Sequence, residues 1–227
     1  GITLAWAAEG VLLLWLGKSQ CSPLTRAFGY GVLALAVCRL FVRHLPLLSG
    51  TATPFVNPVF GVWLAVIVAL VAAQALARRV PDDDAVPWLD GSATLVLGPL
   101  GLVLLFGLLT GETSSAFSRA SRAAALAGDS EAAVRAGRQG GLAVSVLWTL
   151  FATGLLAGGL GLRSRPLFYA AYALFAVTAG KVVLVDLATL PTLYRMLSFL
   201  ALGVPLLAGA WLNLRFRERL TAPGEPR

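Results

Sequence analysis

The sequence is poor in the residues that most often carry chemistry. It holds one histidine, His44, and two cysteines, Cys21 and Cys38. A lone histidine excludes a His-rich metal site. Cys21 falls in an expected loop and Cys38 inside an expected span, so no disulfide between them is expected. No Walker loop, no G-x-G-x-x-G and no G-x-S-x-G elbow occurs. A Ser-His-Asp triad would have to use His44, and nothing near it supports one. No metal and no cofactor are expected. Charge is scarce as well: Asp, Glu, Lys and Arg make up 13% of the 227 residues, against about 25% in an average soluble domain.

What is present is apolar. Hydrophobic residues make up 58% of the chain, and the mean hydropathy is +0.81. A soluble fold of this length has too little interior to hide that much apolar surface. The chain therefore reads as an integral membrane protein, and disordered, collagen-like and disulfide-scaffold classes are excluded.

A spanning helix needs about 20 mostly apolar residues. Seven segments approach this: 2–16, 25–45, 58–77, 92–110, 141–162, 167–185 and 193–214. The expected fold is all-α, a multi-pass bundle of about seven spans forming a single transmembrane domain over 1–227. Ser22-Pro23, Pro46, Pro54, Pro81, Pro87, Pro166 and Pro191 mark the joints. Gly98-Pro99 and Pro205 fall inside spans and predict kinks in the fourth and seventh. Residue 1 is Gly, and the apolar run starts at once with Ile2. No basic region precedes it, so it does not resemble a secretory signal. The chain is expected to be the C-terminal fragment of a longer protein, with upstream helices of that protein as partners.

The pI near 10.2 is explained by placement. With the C-terminus on the cytoplasmic side, ten Lys and Arg residues face inside and five outside, as the positive-inside bias requires. Arg26 counts among the inner ten, and 215–227 is then a cytoplasmic tail. The basic residues orient helices, and no basic face interleaved with aromatics is left for nucleic acid. The expected location is a bacterial cytoplasmic membrane, with the lipid bilayer as partner.

The longest connection, 111–140, is expected to be an external interfacial connection of two short helices broken at Gly128-Asp129, with Asp129 or Ser130 as cap. Its arginine pairs, Arg119/Arg122 and Arg135/Arg138, are each spaced to share a helix face. One reading is a linker lying on the surface. The other is a lid touching anionic headgroups or substrate. The Asp82-Asp83-Asp84 run reads as a solvated loop. A weak internal repeat relates the first two spans to the fifth and sixth: Gly10 to Gly17 parallels Gly154 to Gly161. Gly154 and Gly158 also offer a close-packing face.

The informative charges lie inside the spans, where each costs at least about 2.5–3.5 kcal/mol near the bilayer centre. Glu9, Arg39, Glu112, Lys181, Asp186 and Arg195 all fall towards the expected outer side, and the inner half has no comparable set. In one reading these charges only pair, Glu9 with Arg39 and Asp186 with Arg195. In the other they line an outward-facing pocket. Arg39, Lys181 and Arg195 would then hold an anionic group, with Glu9 or Asp186 as base or acceptor.

At these residues the sequence resembles a bacterial family. The blocks are Ser145-Val-Leu-Trp148, Arg163-Ser-Arg-Pro, Lys181-Val-Val-Leu-Val-Asp186-Leu and Leu193-Tyr-Arg195-Met-Leu-Ser198-Phe. With Trp6-Ala-Ala-Glu9-Gly10 and Leu109-Thr-Gly-Glu112 they are similar to the predicted membrane proteins catalogued as domain of unknown function 2339. The resemblance implies a larger bacterial protein and supplies no function. It adds Ser198 to the candidate substrate-binding residues. The expected activity is handling of a polar or anionic substrate, such as a lipid-linked sugar or phosphate, at an outward-facing intramembrane pocket. A transporter component, or a structural or assembly protein whose charges only pair helices, stands as the alternative.

Overall fold

The computed structural model describes residues 1–44, 53–80, 85–162 and 164–186, and every regular element in them is helical. The first compact unit is Gly1–Phe175 and the second begins at Ala176.

The first unit opens with a tight helical hairpin, α1 (Ile2–Ser19) and α2 (Pro23–Arg39). Cys21 turns the chain with a left-handed φ of 52°. The Ser22 amide returns to the Gly17 carbonyl at 2.9 Å. Ser22 then caps α2, its Oγ accepting from the Thr25 amide at 3.4 Å, with Pro23 in the first turn. Glycines let the two helices touch. A Cβ on Gly17 would stand 2.8 Å from the Arg26 backbone nitrogen, and one on Gly29 would stand 3.0 Å from the Gly10 carbonyl oxygen. A π-helical turn, Leu40–His44, ends α2.

Helix α3 (Pro58–Ala77) coincides with the expected third span. Asn57 caps it, with Oδ1 accepting from the Phe60 amide at 2.7 Å. Trp63, Val66, Ile67, Leu70, Ala73 and Ala77 recur at three- and four-residue spacing and are buried, which is the stripe of a packed helix. Leu14 of α1 and Leu33 and Ala36 of α2 complete the core around it.

A π-helical turn, Pro87–Gly91, leads into α4 (Ser92–Leu126), whose Leu97, Leu104 and Leu108 also join the core, and α5 (Ser130–Gly161) returns beside α4. Helix α4 has 35 residues and α5 has 32, well beyond the expected 92–110 and 141–162. The two short helices expected in 111–140 are continuous with these spans. Apolar content marks where a chain crosses lipid, whereas helix propensity decides where a helix stops. The Ala-rich stretch beyond Thr110 supports continued helix. The break itself falls where expected: Gly128 adopts φ 81° and Asp129 accepts from the Ala132 amide at 2.8 Å. Helix α4 remains helical through Pro99. One turn before it, Gln74 of α3 donates to the Thr94 carbonyl at 2.9 Å.

Helix α6 (Arg165–Lys181) begins in the first unit, where Gly159 of α5 packs against Leu167 and Phe168. The glycine parallel between the first and fifth spans does not extend to packing. Gly10 and Gly17 are in tight contact, while a Cβ on Gly154, Gly158 or Gly161 would meet nothing within 4 Å. In the second unit, a π-helical turn, Val182–Asp186, follows the last residues of α6. The seventh expected span, 193–214, and its Pro205 lie outside the described residues.

Candidate functional site

Polar groups are buried at two levels of the first unit, and α4 connects them. At its start, Asp90 is 3% exposed and Arg26 is 1% exposed. The Arg26 Nη2 donates to Asp90 Oδ2 at 3.1 Å, and the Tyr30 hydroxyl donates to Oδ1 at 3.2 Å. The Val86 amide adds a third donor to Oδ2 at 3.0 Å, from inside the turn that carries Asp90. This carboxylate joins α2 to the entry of α4. Arg26, expected as a loop charge that only orients the helices, is instead a buried ion-pair partner. The expected lack of a charge set at this end is corrected with it. Asp90 stands just before the apolar run, and its partner lies 64 residues away.

At the other level Glu112 is fully buried. Its Oε2 accepts from the Phe55 amide at 3.1 Å, and its Oε1 accepts from Asn57 Nδ2 at 2.9 Å. Asn57 thus uses its amide oxygen to cap α3 and its nitrogen to hold α4. Phe55 presents its amide from a left-handed φ of 61°, a conformation unfavourable for a bulky residue. In the α1–α2 hairpin, Thr3 Oγ1 lies 3.3 Å from His44 Nε2. Trp148 of α5 donates to Thr110 Oγ1 of α4 at 3.1 Å.

The spacing of the two levels has a physical meaning. Asp90 and Glu112 are 22 residues apart, which along a helix is roughly 33 Å. The hydrocarbon core of a bilayer is about 30 Å thick. No charged residue lies between them.

The residues expected to form a site are placed as follows. Glu9 is exposed on α1 and Arg39 is half-buried in the last turn of α2. The expected Glu9–Arg39 ion pair does not form: the Arg39 guanidinium carbon lies 5.4 Å from the Trp6 ring centroid, a cation–π arrangement. In the second unit, Lys181 Nζ donates to Asp186 Oδ1 at 3.0 Å and to Oδ2 at 3.2 Å. In an α-helix a five-residue spacing puts side chains about 140° apart. The π-helical turn between them, with its i→i+5 pattern, brings them together. Asp186 was expected to pair with Arg195, and Arg195 and Ser198 lie outside the described residues. Among the described residues no group of three or more His, Cys, Asp or Glu is arranged to hold a metal. Cys21 and Cys38 are exposed, and no disulfide joins them.

Cavities among the described residues of the first unit include the following pair. One, of about 300 Å³ between α4, α5 and α6, is walled by apolar residues including Pro99, Phe106, Phe151, Pro166 and Leu174. The other, of about 460 Å³, is lined by Gly159, Ser164, Arg165, Phe168, Tyr169 and Tyr172 among others. Neither is lined by Glu9, Arg39, Lys181 or Asp186.

Large apolar side chains face outward all around this unit: Leu12, Phe28, Leu35, Val68, Leu95, Val103 and Leu150 are exposed. Small residues such as Ala7, Ala36, Ala73 and Ala152 are buried. That arrangement suits a lipid solvent, with small residues at helix contacts. Six helices of the described residues are long and apolar enough to cross a membrane. The fold and its two polar levels define a multi-pass helical membrane protein. Within that class, the chain belongs to the predicted membrane protein family DUF2339, whose family model matches residues 31–216. No curated protein and no solved structure matches the chain.

Proposed function

We propose that the protein is a structural or assembly component of a bacterial cytoplasmic membrane, in which buried charges fix helix contacts. The observation that carries this reading is Asp90, which already has a cation and two further donors. A carboxylate so satisfied is tied to its neighbours and has little capacity left for a substrate. Glu112 supports the same role at the other level, with one donor on each oxygen.

A second reading is favoured by Arg39. It is half-buried in a span, rests on Trp6 and has no carboxylate partner among the described residues. A cation held in lipid by a ring face suits an anionic group, such as the phosphate of a lipid-linked intermediate, approached from the outer side. Within the same unit, Glu9 would serve as base. A transferase needs only such an outer pocket, while a transporter also needs a path to the opposite side.

The test uses full-length protein in a deletion strain, with thermal stability measured in detergent. The structural reading expects Asp90→Asn to lower the melting temperature. It expects Glu9→Gln and Arg39→Gln to rescue the strain as the wild type does. Loss of rescue by Arg39→Gln in a protein of unchanged melting temperature overturns it in favour of the outer pocket.

A further inference from the structure

Helices α4 and α5 are longer than a membrane needs, and the excess is on one end. Beyond Glu112 the hairpin continues to Leu126, about 21 Å further along the axis. Its register follows from three contacts. Trp148 meets Thr110, Gly140 packs on Phe117, and Ser121 Oγ donates to the Ala133 carbonyl at 2.9 Å. In that register Arg119 stands level with Arg138, and Arg122 stands level with Arg135. The sequence shows two separate i, i+3 pairs. The fold stacks them into one band of four arginines crossing both helices.

The band lies at a definite height. Counting from Glu112, Arg119 is about 10 Å and Arg122 about 15 Å further out along α4. Headgroups add roughly 5–8 Å to each face of a 30 Å hydrocarbon core. Arginine side chains can reach back across the remaining gap, stems against the hairpin and heads among the phosphates. Arg122, Arg135 and Arg138 are exposed and Arg119 is half-buried. Glu112 is buried below the band, and Asp129 and Glu131 stand above it towards the tip, with Glu131 one turn from Arg135, whose Nε donates to the Glu131 carbonyl at 3.4 Å. Alanines fill much of the remaining surface, giving the arm too little apolar bulk to insert by itself.

We propose that this band binds the phosphates of anionic phospholipids in the membrane the protein spans, holding the arm against the headgroup layer. The chemistry is charge-assisted hydrogen bonding from guanidinium to phosphate, strengthened by the negative potential of the lipid surface. It is independent of whether the spans house a substrate pocket.

The test uses the full chain in nanodiscs of phosphatidylcholine with and without phosphatidylglycerol, with retained lipids counted by native mass spectrometry. The variant is R119Q/R122Q/R135Q/R138Q, and R78Q/R79Q is the control for basic residues elsewhere. The preference for phosphatidylglycerol over phosphatidylcholine is expected to fall at least about tenfold in the quadruple variant and less than about twofold in the control. If the quadruple variant misfolds, R122Q/R135Q, which changes only exposed side chains, is expected to show a smaller loss in the same direction. An unchanged preference in a folded variant overturns the proposal. So does a finding that inorganic phosphate, at millimolar concentration, displaces the retained phosphatidylglycerol, because the band would then be a soluble-phosphate site.

Discussion

Arg26 and Asp90, 64 residues apart in the chain, meet at 3.1 Å with both side chains almost wholly removed from solvent. The pair joins the start of α2 to the turn before α4, so its loss separates helices rather than trimming a surface. Asp90→Ala leaves Arg26 buried without its counter-charge, and about 3–5 kcal/mol of destabilisation is expected. Replacing both partners, Arg26→Met with Asp90→Leu, is expected to recover most of that loss. Unfolding in detergent, arranged as a double-mutant cycle, measures it. A double variant as unstable as Asp90→Ala alone would falsify the pairing role.

Gly17→Ala is expected to destabilise the α1–α2 hairpin by about 1–3 kcal/mol. The new methyl meets backbone at Arg26, and backbone cannot rotate away as a side chain can. Gly154→Ala is the matched control. Open space surrounds it, so no loss is expected there, and helix propensity favours a gain of up to about 1 kcal/mol. Equal effects at both positions would contradict the tight packing assigned to the first hairpin.

Glu112→Ala removes the acceptor for two donors, the Phe55 amide and Asn57 Nδ2. A cost of about 1–3 kcal/mol is expected. Local readout is sharper than the global one: amide hydrogen exchange at Phe55 is expected to accelerate while amides in the middle of α3 keep their protection. Unchanged exchange at Phe55 would show that the left-handed turn is held by something other than Glu112.

Gly128→Ala forces a Cβ into a φ of 81°, and about 1 kcal/mol is expected to be lost at the hairpin tip. Asp129→Ala removes the cap on Ala132, with a similar expected loss of about 1 kcal/mol. Because these changes lie far from the core, they are expected to raise proteolysis at the tip more than they lower the melting temperature. Limited proteolysis beside a thermal melt separates the two.

The spans were readable because lipid imposes a simple rule on composition, and 58–77 matched α3 at both ends. The ends of α4 and α5 were not readable from hydropathy, since Ala and Arg continue a helix that no longer faces lipid. The Asp90 cluster was illegible for another reason. Asp90 sits one turn before an apolar run and looks like loop acid, and nothing local reveals a partner 64 residues upstream. Glu112 was visible as a charge closing its span, but Asn57 was not visible as its partner, because Asn57-Pro58 reads as a helix start and is one. Lys181 and Asp186 were both chosen from sequence, and only the π-helical turn made them partners of each other.

The 22-residue interval from Asp90 to Glu112 acts as a gauge. Both carboxylates are bound to other helices, so the uncharged stretch between them cannot slide to suit a different bilayer. A membrane much thicker or thinner than about 30 Å must bend lipid, or tilt the bundle as a whole, at a cost for each ångström of mismatch. The fold therefore carries its own preference for the thickness of the membrane in which it resides.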